Sequence, residues 1–477
     1  MKKPARSIGQ PLLTVLLVSI FPAVFLYCRN AEEADFPEII PALLLFAAAG
    51  VVLFALASLL TKGACEVSAL IATVMVLILT NFSLIEAGLT RFISGLKYWH
   101  TVPLMIVLGL HAAYLIRRFV SGEMARDLVK IVCLVFSLLI AFNVVTGAPH
   151  IINRLSSKQQ LNQISYSDDA EINVDLPNIY LFLFDEYANF PQMEAFYDYD
   201  NAPLRDFLAA HHFTVSYSGR NESILTDTIT TNLVNLEYIV NDKTPGSELE
   251  MLRKQGALYA LLSGKGYALR GAEVHDQFGL PSMLGSVSGS AASTVDGETL
   301  YDLAIKQTIL YPLWQRNTAE AISKIMQVVD GVSGRDAIPE GGTFTLVYLC
   351  FPHHPFLVDE NGAAVPASQA INWEDQRYYL GQFKYATQIM LKMLSNVVEN
   401  DPDSVIFLQS DHGARAYGIP NVTFPLEVMA NPLNAVYYQG EEMPGIEGLS
   451  TVNTIRLVLN RLFGMDLEML DVPQAAQ

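Results

Sequence analysis

Three apolar runs in the later part of the chain each end in side chains able to bind a metal or move a proton. Ile179–Phe184 runs into Asp185 and Glu186. Thr343–Phe351 runs into Pro352, His353, His354 and Pro355, and Val405–Gln409 into Ser410, Asp411, His412 and Gly413. Taken singly, each has an ordinary reading. Asp and Gly form turns after strands, an acidic pair can simply solvate a strand end, and two histidines before a proline make a surface pair. The repetition points elsewhere. An unbroken apolar run marks a strand covered on both faces, and so a parallel sheet. Open α/β folds keep their ligands at the carboxyl ends of such strands. Two carboxylates and an imidazole converging there suit a divalent cation of the zinc or manganese kind, with oxygen and nitrogen donors.

A nucleophile is supplied by the threonine segment SYSGRNESILTDTITTNLVNLEYI. It carries Thr226, Thr228, Thr230 and Thr231 ahead of a helix-like stretch. A threonine hydroxyl attacks poorly at its own pKa and becomes useful where a cation stabilises the alkoxide. At a helix amino terminus, a reacting phosphate would also meet backbone N–H groups without intrahelical partners. The alternative is plain β-propensity and helix capping, which also enrich threonine.

These residues need a scaffold. Between the second and third runs, QRYYLGQFKYATQIMLKMLSNVVEN places Leu380, Phe383, Ile389, Met393 and Val397 at helical spacing. Strand, long helix, strand is the unit of a doubly wound sheet. The segments 285–294 and 331–342 read as loops.

The amino-terminal third differs. Hydrophobic residues make up 51% of the 477, and the excess lies in five apolar stretches at 11–28, 38–60, 67–88, 102–116 and 128–146. Most approach the ~20 residues that cross a hydrocarbon core, and a cleaved signal peptide accounts for the first alone. The expected organisation is a five-span transmembrane region at 1–148, a linker or surface helix at 149–174 and an outer domain at 175–477. Lys2, Lys3, Arg6, Arg117, Arg118 and Arg126 favour a cytoplasmic amino terminus, although Arg91 and Lys97 fall in an outer loop of that topology. Five crossings then place the later domain outside. A net charge of −18 argues against a nucleic-acid partner. Four cysteines make no disulfide framework, since Cys28, Cys65 and Cys133 lie in or beside spans and leave Cys350 alone in the outer region.

The motifs PNIYLFLFDE, the threonine segment, PHHPF, SDHG and VNTIRLVLNRLFG together resemble the alkaline-phosphatase/sulfatase superfamily over residues 175–465. The resemblance is to its membrane-anchored branch, which includes lipoteichoic acid synthase-type and phosphoethanolamine transferase-like proteins. It implies a mainly parallel α/β sheet sandwiched by helices, alkaline-phosphatase-like, after a five-helix transmembrane bundle. It further implies Asp185, Thr226, Asp411 and His412 as metal ligands, with Thr226 also the nucleophile and Thr228 its alternative. His353 is implied to contact the phosphoryl group or leaving oxygen. Glu186 takes the place of a second carboxylate in two-Asp sulfatases, and His354 is the alternative to its neighbour. Arg415 is either a binder of anionic substrate or a plain loop arginine. The cofactor implied is Mn²⁺ or Zn²⁺ ahead of Mg²⁺ or Ca²⁺. The implied activity moves a phosphoglycerol or phosphoethanolamine headgroup from a lipid donor to an envelope glycan or lipid, at the cell membrane. Alternatives are a hydrolase of phosphodiesters or phosphomonoesters, or a non-catalytic envelope-assembly protein. No cysteine here begins the Cys-x-Pro-x-Arg pattern of formylglycine sulfatases, which argues against that route to sulfate esters.

Overall fold

The computed structural model describes residues 8–31, 34–90, 93, 98–161, 172–284, 300–310, 318–365, 373–419 and 423–473. Lys2, Lys3, Arg6, Arg91, Lys97 and the loop 285–294 lie outside them, as do residues 162–171 of the expected linker. The chain forms two compact units. One is Met1–Ser156 with Ala292–Gln315, and the other is Ser157–Ala291 with Arg316–Gln477.

The first unit is helical: α1 (Gly9–Arg29), α2 (Phe36–Leu60), α3 (Cys65–Thr80), α4 (Phe82–Thr90), α5 (Tyr98–Phe119) and α6 (Gly122–Leu161). Among the described residues, α1, α2, α5 and the Gly122–Ser156 part of α6 are long and apolar enough to cross a membrane. Four helices of spanning length thus stand against the five expected spans, and the stretch that falls short is the third. The stretch 67–88 does not form one helix but divides at Asn81. There the Asn81 side chain donates to the Leu77 carbonyl at 3.0 Å and the Thr80 hydroxyl to the Val76 carbonyl at 2.9 Å. Such side chains compete with the backbone for its own acceptors. The remaining α3 has 16 residues, about 24 Å of helix against a hydrocarbon core of about 30 Å. The stretch 102–116, short as a sequence segment, lies within the 22-residue α5. Helices α1 and α2 approach closely at Gly50, where a Cβ would stand 2.1 Å from Ser19 Oγ. The short helix Leu300–Lys306 joins this unit, and its Leu300, Ala304 and Ile305 enter an apolar cluster with Ala23, Ile39, Ala42 and Phe46.

The second unit is a three-layer α/β structure. Its strands are β1 (Ile179–Phe184), β2 (Thr214–Ser216), β3 (Ala268–Glu273), β4 (Thr343–Leu349), β5 (Val405–Ser410) and β6 (Asn434–Tyr438), in the order β2-β6-β5-β1-β4-β3. The central β3, β4, β1 and β5 run parallel, and β6 is antiparallel to both β5 and β2. Every residue of β1, β4 and β5 is buried, which is why these runs carry no alternation. Side chains on β1 still divide by face. Tyr180, Phe182 and Phe184 pack with Tyr379, Phe383, Met390 and Met393 of the helix Gln376–Asn400. Ile179, Leu181 and Leu183 pack with Leu233 of the helix Thr226–Asn235 and Ile455 and Val458 of the helix Thr451–Phe463. The sheet is fixed from both sides, so its carboxyl edge is a rigid platform.

Candidate metal centre

Register places the chemistry. Phe184 of β1 pairs with Leu349 of β4 and with Ser410 of β5. One residue further on, three neighbouring strands present Asp185, Cys350 and Asp411 in line. Backbone bonds carry the ladder that one step more, from Asp185 N to the Leu349 carbonyl (3.0 Å) and from Asp411 N to the Phe184 carbonyl (3.2 Å).

Asp185, Asp411 and His412 are all buried, and one ligand atom from each lies within 4.8 Å of the others. His412 Nε2 stands 3.7 Å from Asp411 Oδ2 and 3.9 Å from Asp185 Oδ1. These same three atoms, Asp185 Oδ1, Asp411 Oδ2 and His412 Nε2, are buried without a hydrogen-bond partner. A buried polar atom left so costs about 1–3 kcal/mol, and three aimed at one point need a common partner. The other atoms of these groups are engaged. Asp411 Oδ1 accepts from Glu186 N (2.9 Å) and His412 N (2.7 Å). His412 Nδ1 lies 2.7 Å from the Gly413 carbonyl. A carbonyl only accepts, so Nδ1 carries the ring proton and Nε2 presents a lone pair. This second-nitrogen support is usual for ligating histidines. Burial, and then the Asp411 carboxylate, push the Asp185 carboxyl up to about 6, a repulsion that a cation between the two would relieve. The donor set and spacing thus fit a divalent ion.

The DHG turn is clamped. Gln192 Nε2 donates to the Ala414 carbonyl (2.7 Å), and Gln192 Oε1 accepts from Ala414 N (3.0 Å). A Cβ on Gly413 would come within 2.3 Å of that Oε1 and 3.2 Å of two backbone carbonyls, so only glycine fits.

Glu186 turns away from this cluster. Its backbone adopts φ +60, a conformation costing a non-glycine residue about 1–3 kcal/mol. Its carboxylate accepts from Arg415 N (2.8 Å), Arg415 Nη1 (3.0 Å) and the Tyr417 hydroxyl (2.6 Å). Arg415 is therefore committed to Glu186 rather than standing as a plain loop arginine. Tyr379 donates to the Glu186 carbonyl at 2.9 Å.

His353 belongs to a second grouping. One ligand atom each of Asp185, Cys350 and His353 lies within 4.8 Å of the others. Asp185 Oδ2 accepts from the Tyr348 hydroxyl and the Cys350 thiol, both at 3.2 Å. His353 Nε2 is 3.8 Å from Glu186 Oε2. His354 is half-buried and packs between His353 and Trp373, tilted against the first ring and edge-on to the second, with ring centroids 4.5 and 4.3 Å away.

Thr226 is the first residue of the helix Thr226–Asn235, after an extended Leu225. The first backbone amide bonded back along this helix is Ile229 N, to the Leu225 carbonyl, so the N–H groups of 226–228 precede the helical ladder. Of the four threonines, Thr230 donates to the Thr226 carbonyl (2.7 Å) and Thr231 to the Leu249 carbonyl (3.2 Å). Thr228 is buried with its hydroxyl unpartnered, and Thr226 is half-buried. One hydrogen bond ties this segment to the cluster: Asn221 Nδ2 donates to the Asp411 carbonyl at 2.6 Å.

Cys350, Tyr348, Tyr417 and Gln192 went unread in the sequence. For Cys350 a signal existed: it occupies the position after β4 that Asp185 and Asp411 occupy after β1 and β5.

No family model matches this chain, and no curated protein does. Solved structures do. The chain is similar to the C-terminal periplasmic domain of EcEptC from Escherichia coli in complex with Zn, at 13% identity and TM-score 0.35, covering 55% of this chain and 73% of that one. It is similar to a 2-O GAG sulfatase at 13% identity and TM-score 0.37, covering 63% and 73%. It is also similar to the integral membrane protein lipooligosaccharide phosphoethanolamine transferase A from Neisseria meningitidis, at 12% identity and TM-score 0.37, covering 95% of each chain.

Proposed function

We propose that this chain is a membrane-anchored, metal-dependent phosphotransferase. It moves a headgroup of the phosphoglycerol or phosphoethanolamine type from a lipid to an envelope glycan or lipid through a threonine intermediate. One observation carries the reading: three orphaned, buried donor atoms, Asp185 Oδ1, Asp411 Oδ2 and His412 Nε2, converge at two neighbouring strand ends.

Asp185, Asp411 and His412, with the Thr226 hydroxyl, would hold the divalent ion. When bound, such an ion lowers the hydroxyl pKa and offsets negative charge on the phosphoryl oxygens. The residues of the chain do the remainder. Thr226 attacks phosphorus in line, the bond to the leaving glyceride oxygen breaks, and the headgroup phosphate is left esterified to Thr226. Backbone N–H groups at the start of the helix Thr226–Asn235 face the growing charge. His353 contacts the phosphoryl group or donates a proton to the departing oxygen. An acceptor hydroxyl or amine then attacks the phospho-threonine and releases the Thr226 oxygen.

A hydrophobic anchor suits a lipid-borne donor. With α3 crossing beside the four long helices, five passages set the second unit on the outer side.

The test uses the full-length chain in detergent, with headgroup-labelled phosphatidylethanolamine or phosphatidylglycerol and a glycan acceptor. Transfer of label to the acceptor, lost in Thr226→Ala by at least about 10³-fold, is the expected result. Release of label to water alone would make the protein a hydrolase. Wild-type turnover in Thr226→Ala would remove the nucleophile.

A further inference from the structure

The sequence left Cys350 aside, yet its position at the sheet edge is that of a ligand. We propose that Asp185, Cys350 and His353 form a second divalent-cation position that shares the Asp185 carboxylate with the first. The proposal rests on the reading of Asp185, Asp411 and His412 as a metal site, and it names a ligand set which that reading does not use.

The geometry divides Asp185 between two neighbours. Its Oδ1 faces His412 Nε2 at 3.9 Å, while its Oδ2 lies 3.2 Å from Cys350 Sγ. One carboxylate oxygen thus serves each position, the arrangement of a bridging ligand. The ligand atoms of Asp185, Cys350 and His353 lie within 4.8 Å of one another. Sulfur and oxygen ligands on one tetrahedral zinc stand about 3.5 Å apart, given bond lengths near 2.3 and 2.1 Å. His353 Nδ1 lies 2.6 Å from the His354 carbonyl, so ligation by this ring runs through Nε2, with the same backbone support that His412 has. Asp185 and His353 are 4% and 5% exposed, so the position is held within the fold. Tyr348, donating to Asp185 Oδ2, fixes the carboxylate plane for both positions.

The chemistry differs between the two. The first position offers oxygen and nitrogen donors alone and accepts manganese or zinc. The second adds a thiolate, which selects zinc and disfavours manganese, magnesium and calcium. The Cys350 thiol proton leaves to solvent as the metal binds. With the position filled, His353 is a ligand and not the proton donor to the departing oxygen. The two uses of this ring exclude each other.

The test measures metal on the purified full-length chain, folded as judged by circular dichroism, as wild type, Cys350→Ser and His353→Gln. Serine keeps a hydrogen-bond donor toward Asp185 and removes the soft ligand, so a purely structural role of the thiol survives in it. Expected are two zinc ions per wild-type chain, falling to one in each variant. The cobalt-loaded wild type is expected to show near-ultraviolet thiolate-to-cobalt absorption that Cys350→Ser lacks. That spectrum needs no variant to fold in order to be seen. One zinc in wild type and both variants, with no thiolate–cobalt band, would overturn the second position and leave the first intact. No bound zinc or cobalt in any form would overturn both.

Discussion

Asp185 and Asp411 are two carboxylates buried side by side, and the fold tolerates them only through the atoms arranged about them. Asp411 Oδ1 takes two backbone N–H groups, while its Oδ2 and Asp185 Oδ1 face each other's neighbourhood without a partner. The substitution Asp411→Asn keeps an oxygen for both backbone donors and removes one of the two like charges. Without metal, in EDTA, this variant is expected to be more stable than wild type by about 1–3 kcal/mol. With zinc present, the order is expected to reverse, because wild type gains linkage stabilisation at this position that the variant loses, about 2.7 kcal/mol at a hundredfold excess over Kd. Thermal melts with and without zinc check both signs, and an Asp411→Asn protein that zinc stabilises as fully as wild type would count against the ligand assignment. The residue types at the strand ends were legible because carboxylates and imidazoles stand out against apolar runs. The pairing of Glu186 with Arg415 was not, since it joins positions 229 residues apart and follows from a left-handed turn at Glu186 that no local pattern announces.

The three central strands were legible nearly to the residue. A strand buried on both faces must be apolar throughout, and each of these is bounded by residues that cannot continue it. The helix Gln376–Asn400 was equally plain from its period. What escaped was the break in the third apolar stretch, where Thr80 and Asn81 look harmless but draw on helix carbonyls, and the antiparallel β6, which is a buried run like the others. The segment leading into the helix Thr226–Asn235 carries its own testable feature. Glu222, four residues before Thr226, is 6% exposed and accepts from Asn232 Nδ2 at 2.8 Å through Oε1, while Oε2 has no partner. Burial pushes this carboxyl up to about 7 from an ordinary 4.5. Between those values the folded protein holds a proton that the unfolded chain has lost. The contribution is thus fully present below about pH 4.5 and is lost as pH rises through about 7. Glu222→Gln is expected to flatten this fall, which amounts to at most about 3 kcal/mol. Denaturant unfolding at pH 5 and pH 8 measures it, and an unchanged pH slope in Glu222→Gln would show that Glu222 is ionised in the fold throughout.

The whole chain joins an apolar helical unit to an α/β unit that holds the candidate site, and the amino-acid order announced that division through composition alone. It did not announce that residues 300–306, from the stretch between β3 and β4, belong with the helices. Seven residues of mixed character give no period to read. The proposed outward orientation of the α/β unit requires an odd number of crossings, and so a passage by α3. Glu399, exposed near the end of the helix Gln376–Asn400, reports on it. Glu399→Cys in intact cells is expected to react with a membrane-impermeant maleimide well above the unsubstituted chain, and labelling only after lysis would reverse the orientation. The central claim is narrower: Thr226 takes the headgroup covalently. Zinc-loaded full-length protein would be mixed with phosphatidylethanolamine or phosphatidylglycerol, quenched in acid and weighed by intact-mass and peptide mass spectrometry. A mass gain equal to phosphoethanolamine or phosphoglycerol on the peptide carrying Thr226, absent from Thr226→Ala, is the expected result. Turnover with no such adduct, or an adduct on another residue that persists in Thr226→Ala, would contradict it.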